Sequence, residues 1–268
     1  MEAAAWGLVV AASLLAGALA AIHLQLPARI AALATAFGGG ILFAAVALDL
    51  VPEADAGAGP ALTAVGLVAG TLIYVAADAK LSQDPSMREL RRMGHAAAAG
   101  RPMSDMAEPE TVPRDEAPTA QHARDHSEAA RGESIAAGIF VDGVPESIAL
   151  GLTIAEGEVG VALLAGILVG NVVEAYGAAQ PIVVGGHTKR FAITLLALIG
   201  AALALATVLG ATVLADAGAE LIGTAQAIAA GAVLAVVSIA IIPHAFREVS
   251  RWAALATMAG FVGGYLLS

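Results

Sequence analysis

The stretch Val161-Ala162-Leu163-Leu164-Ala165-Gly166-Ile167-Leu168-Val169-Gly170-Asn171-Val172-Val173-Glu174-Ala175-Tyr176 decides the fold. It sits in an apolar run from about residue 159 to 183. A helix of about 20 such residues, rising about 1.5 Å each, crosses a hydrocarbon core of roughly 30 Å. Asn171 and Glu174 interrupt the run near its middle. An ionised carboxylate at that depth costs about 2.5–3.5 kcal/mol and normally faces a bundle interior or a watery pathway. The segment therefore reads as a membrane span and as a candidate site.

Outward from it, seven more apolar runs cover approximately residues 4–22, 28–50, 60–79, 134–154, 191–214, 221–243 and 250–267. The expected fold is an all-α, polytopic membrane protein of eight transmembrane helices. Residues 1–80 hold helices 1 to 3, 81–133 form a cytoplasmic loop, 134–186 hold helices 4 and 5, and 187–268 hold helices 6 to 8. The first run lacks a positive flank before it, so a permanent span is expected rather than a cleaved signal. A hydrophobic content of 59% and a mean hydropathy of +0.81 agree with a membrane protein. A net charge of -10 argues against nucleic acid as a partner. There is no cysteine, so a metal would be held by oxygen or by histidine nitrogen.

Loop charges set the orientation, because cytoplasmic loops carry an excess of Lys and Arg. All 13 basic residues fall between helices 1 and 2, 3 and 4, 5 and 6, or 7 and 8. The alternate connections carry acids alone: Glu53 and Asp55, Glu156 and Glu158, Asp216 and Glu220. Both termini are therefore expected outside. The 81–133 segment, with five prolines and mixed charge, reads as a mostly disordered loop. Its His95, His122 and His126, with Asp125, offer a weak metal-collecting cluster or nothing more than a solvated stretch.

Helix 4 carries Phe140-Val141-Asp142-Gly143-Val144-Pro145-Glu146-Ser147. Asp142 and Glu146 are four apart and share a helical face, as Asn171 and Glu174 do at a spacing of three. Pro145 cannot donate to the Val141 carbonyl, so backbone oxygens are expected to join them. Carboxylates, an amide and freed carbonyls with no Lys or Arg at that depth suit a cation; protonated acids bonding across the helices as structural glue are the alternative. Asp49 and Glu53, flanking Pro52, read as an entrance funnel or a solvated pair. His244 and Glu248, after Pro243, read as an exit or an interfacial pair. Gly40 to Pro52 in helix 2 and Gly231 to Pro243 in helix 7 have the same spacing on oppositely directed helices. This is inverted-repeat character, a mark of secondary transporters.

With these motifs in place, the chain resembles the ZIP (Zrt-, Irt-like protein) family of divalent metal transporters, as a divergent prokaryotic-type member. Asp142-Gly143-Val144-Pro145-Glu146-Ser147 and Gly170-Asn171-Val172-Val173-Glu174-Ala175 fall on that family's His-Asn-x-Pro-Glu-Gly motifs, and Leu48-Asp49-Leu50-Val51-Pro52-Glu53 resembles the end of its second helix. Asp142 and Gly170 stand where the family has histidine, Gly143 where it has asparagine, and Val173 where it has proline. The resemblance implies a metal site of Asp142, Glu146, Asn171 and Glu174, a homodimer, and a multi-pass protein of a bacterial inner membrane. Zinc is the family's usual substrate; loss of nitrogen ligands moves the expectation toward manganese or ferrous iron, with cadmium also accepted. Transport toward the cytoplasm by alternating access is expected, without organic cofactor or catalysis. A membrane-embedded hydrolase using Asp142 and Glu174, and a metal-binding homologue that does not transport, are the competing readings.

Overall fold

A computed structural model describes residues 2–24, 27–81, 139–140, 143–157, 159–184, 187–213 and 217–268. Asp142 and the loop histidines lie outside the described residues, so the expectations that fall on them have no structural counterpart. All regular structure among the described residues is helical. The chain is a multi-pass membrane protein: five helical stretches among the described residues are long and apolar enough to cross a bilayer.

Helix α1 spans Glu2–His23. Helix α2, Ala28–Ala45, passes through a π-helical turn at Val46–Leu50 into α3, Val51–Leu81. The apolar stretch so formed, Arg29–Ala79, is 51 residues long. At about 1.5 Å per residue it would reach well over twice the thickness of a bilayer core. It is broken at Gly59, whose φ of 78° and ψ of 163° are non-helical. That backbone region is essentially restricted to glycine. Pro60 follows and has no N–H to carry a helix across the break. The expected connection between residues 50 and 60 is thus corrected: it is helix as far as the Gly59 break, because Ala54, Ala56 and Ala58 favour helix.

Helix α4 is Gly143–Ala155, and α5 is Val161–Val184. Helix α6 is Lys189–Val213, and α7 is Ala219–Val236. A second π-helical turn, Val237–Ile241, leads from α7 into α8, Ile242–Val249; α9 is Arg251–Leu267. The two π turns share one cause. Pro52 and Pro243 each stand two residues past the turn, lack a donor, and crowd the carbonyl four residues back, so the coil widens. Val51 N–H then bonds the Val46 carbonyl and Ile242 N–H that of Val237, five residues back in each case. The repeated Gly-to-Pro spacing therefore has a repeated local structure.

Glycines set the packing by letting backbones meet. On α1 and α6, Gly7 faces Ala204 and Gly200 faces Ala11, so these helices run antiparallel. On α4 and α6, Gly143 faces Leu203 and Gly151 faces Thr207, so they run parallel. A Cβ on Gly66 of α3 would lie 2.6 Å from the Ala227 Cβ of α7; Gly57 meets Ala219 and Gly70 meets Ile228, again a parallel pair. Helices α2 and α9 are parallel too, with Gly260 on Phe37 and Gly264 on Ile41. The helices thus form two groups, one of α1, α4, α5 and α6, the other of α2, α3, α7, α8 and α9. Helices α2 and α5 join them antiparallel, through Gly38 on Val169 and Gly166 on Leu42. A single core with Leu14, Leu42, Leu150, Leu163, Leu203 and Val233 runs through both groups. Leu8, Val65, Leu72, Leu198 and Leu255 stay exposed, as a lipid-facing surface requires.

Candidate functional site

Helices α4 and α5 bury the polar residues that the sequence singles out. Glu146, on α4, is 6% exposed and Asn171, midway along α5, is 2% exposed. Glu174, one turn further on, is half-buried, and its carboxylate has a partner, as has that of Glu146. Two buried polar atoms beside them have no hydrogen-bond partner among the described residues: Asn171 Nδ2 and Ser147 Oγ. A buried polar atom left so costs about 1–3 kcal/mol, and such an orphan in a native fold calls for a water or an ion. Water, free or carried on a cation, satisfies an amide N–H and a hydroxyl alike.

Gly170 stands where the resembled family has histidine. A Cβ built there meets no described atom within 4 Å, so α5 has room beside it one turn before Glu174. Gly143 differs: its Cβ would meet the Leu203 side chain at 2.7 Å, so glycine there serves the packing of α4 on α6. Pro145 lies within the described part of α4 and has no N–H to donate into its helix; Val141, whose carbonyl it would leave free, lies outside the described residues. Among the described residues no three Asp, Glu or His side chains gather to hold a metal ion. Of the four expected ligands, Glu146, Asn171 and Glu174 are described, and Asp142 lies outside.

The flanking residues fall at opposite ends of the bundle. Asp49 lies half-buried in the first π turn, and Glu53 half-buried one turn later. Glu53 is not the plain solvated carboxylate that one reading of Asp49 and Glu53 expects. The wholly buried Gln226 of α7 donates from Nε2 to Glu53 Oε2 at 3.1 Å and to Glu156 Oε2 at 2.6 Å. Sequence reasoning missed Gln226 and saw Glu156 only as a loop charge. An uncharged polar residue deep in an apolar helix was the available signal.

At the other end, His244 is 3% exposed in the first turn of α8. Glu248 lines an open groove of about 780 Å³ with Arg29, Phe246, Arg251 and Trp252. His244 stands one turn before Glu248 on the same helix. Comparison with protein-family models and with curated proteins gives no match.

Proposed function

We propose that this chain transports divalent metal cations through the polar layer between α4 and α5, with Glu146, Asn171 and Glu174 as described ligands and Asp142 as the fourth. The observation that carries this is the burial of Glu146 and Asn171 on neighbouring segments of an apolar bundle, beside the unsatisfied Asn171 Nδ2 and Ser147 Oγ. Burying the Asn171 amide and the Ser147 hydroxyl without partners costs free energy that a bound cation carrying water would offset. An all-oxygen ligand set suits manganese and ferrous iron, with zinc and cadmium as further substrates.

Eight passes with both termini outside are part of the proposal. Support comes from the packing directions, with α3 parallel to α7, α4 parallel to α6, and α2 parallel to α9. The matched π turns before Pro52 and Pro243 support inverted-repeat character. The two helix groups supply what alternating access needs. Within a group the glycine contacts are mostly onto backbone, whereas Gly38 and Gly166 meet the side chains of Val169 and Leu42 across the boundary. A homodimer in a bacterial inner membrane, carrying metal toward the cytoplasm, completes the proposal as the ZIP resemblance implies it.

Uptake of manganese and of zinc into vesicles holding the wild-type protein or Glu174→Ala tests the function. Uptake by wild type and none by the variant is expected. Equal uptake by both removes the site; tight binding without flux by wild type assigns a metal-binding role without transport.

A further inference from the structure

We propose that the groove where α2 and α9 begin beside α8 binds the head group of an anionic phospholipid, with Arg29 and Arg251 on its phosphate. No residue of the α4–α5 layer takes part, so the proposal stands or falls apart from the transport reading. Helices α2 and α9 run parallel, and both start where their apolar runs start, which sets the groove at the boundary of the hydrocarbon core. The groove has a floor of its own. Ala32, Ala36, Ala245, Val249 and Ala253 form a small separate core that draws the three helices together. Alanines let the backbones close there, while Arg29, Phe246, Arg251 and Trp252, all exposed, form the walls. A volume of about 780 Å³ is far more than a free phosphate ion fills. It lies within the range of about 300–1,000 Å³ usual for sites that hold an organic ligand.

The lining selects the ligand by charge and by polarity together. Arg29 and Arg251 stand against one acid, Glu248, so the wall carries an excess of positive charge. The planar fork of a guanidinium suits phosphate oxygens, which it can hold in pairs. The rest of the lining is largely apolar, with Leu33, Phe246, Val249 and Trp252. Tryptophan favours the depth of lipid head groups. Arg29 shares a face of α2 with Leu33, and Arg251 shares a face of α9 with Leu255, which is exposed. Each arginine therefore leads within one turn to apolar helix surface. A head group on the arginines sets its acyl chains along that surface, whereas an acidic peptide would match the charge and leave the apolar continuation unused.

The test titrates the delipidated full chain in detergent with phosphatidylglycerol, phosphatidylethanolamine and phosphatidylcholine of identical acyl chains, and counts bound lipid by native mass spectrometry. Wild type is expected to bind one phosphatidylglycerol at least fivefold more tightly than phosphatidylcholine. Both arginines are exposed, so Arg29→Gln and Arg251→Gln spare the fold. Each should weaken phosphatidylglycerol about fivefold, the usual effect of one basic residue at an anionic surface, and leave phosphatidylcholine unchanged. Arg190→Gln, exposed in another basic connection and not on the groove wall, should lose nothing. Glu248→Gln should bind phosphatidylglycerol as tightly as wild type or more so. Equal affinity for the three lipids in wild type, or a loss in Arg190→Gln as large as in Arg29→Gln, overturns the site. A preference for phosphatidylethanolamine that Glu248→Gln abolishes would assign an amine-bearing lipid and overturn the anionic one. Displacement of phosphatidylglycerol by an equimolar amount of inorganic phosphate would make the groove a free-anion site and overturn the lipid.

Discussion

Gly59→Ala and Gly170→Ala add the same methyl group, and the structure gives them opposite signs. Neither methyl meets a described atom within 4 Å, so sterics with neighbours are equal and the backbone decides. Gly59, at φ 78° and ψ 163°, occupies a region where a side chain costs about 1–3 kcal/mol. Gly170 is helical, where replacing glycine by alanine gains about 0.8–1 kcal/mol. The two variants should therefore differ by roughly 2–4 kcal/mol, a large share of a typical net stability of about 5–15 kcal/mol. Unfolding of the purified protein by rising SDS fraction in mixed micelles, read by circular dichroism, measures both. Gly59→Ala should shift the midpoint to lower SDS and Gly170→Ala to higher SDS. An unchanged or raised midpoint for Gly59→Ala would refute the reasoning. Alanine would then be acceptable at residue 59, the 51-residue stretch would not need its break there, and the reading of residues 28–81 as two passes would lose its physical basis.

Three further outcomes are expected. Gly70→Ala drives a methyl into the Ile228 backbone between α3 and α7, whereas Gly38→Ala meets the Val169 side chain at 3.2 Å and the Gly170 backbone N at 3.4 Å. The first should cost about 1–3 kcal/mol, as overpacking does, and the second less, in the same SDS titration; the reverse order would contradict the rigid pairing of α3 with α7. Gln226→Leu removes the donor that Glu53 and Glu156 share. It should cost about 1–3 kcal/mol in the same titration; an unchanged midpoint would show that the shared amide carries no stability. Because the chain has no cysteine, single replacements report sidedness cleanly. Asp55→Cys and Glu220→Cys should react with an impermeant maleimide from one side of sealed vesicles, Arg190→Cys and Arg247→Cys from the other, and labelling of all four from one side would end the topology.

The parts legible in the sequence are those set by local pattern. Apolar runs give the spans, since no other composition can leave Leu72 or Leu255 facing lipid. The Gly40 to Pro52 and Gly231 to Pro243 spacings give matched π turns, because proline acts on the carbonyl four residues back wherever it falls. Glu146 and Asn171 read as buried because polar groups within apolar spans normally face the bundle interior. What stays illegible is contact across the chain. Gln226 meets Glu53 and Glu156 over separations of 173 and 70 residues, and no motif surrounds it. Residues 51–58 looked like a connection because they carry acids, while their alanines keep them helical up to Gly59.

That unforeseen contact bears on the topology that loop charges suggest. The proposed topology puts Glu53 and Glu156 toward the same face of the membrane, and the glutamine amide they share agrees with it. In that proposal the helical limb beyond Gly59 and helix α4 are two crossings, and glycine contacts give their directions: the limb runs parallel to α7, and α4 parallel to α6. Consecutive helices α6 and α7 then run oppositely, as a short connection through Gly218 requires. Charge bias and side-chain contact are physically unrelated, one acting during insertion and the other after folding. Their agreement on which connections share a face is what the proposed eight-pass topology requires.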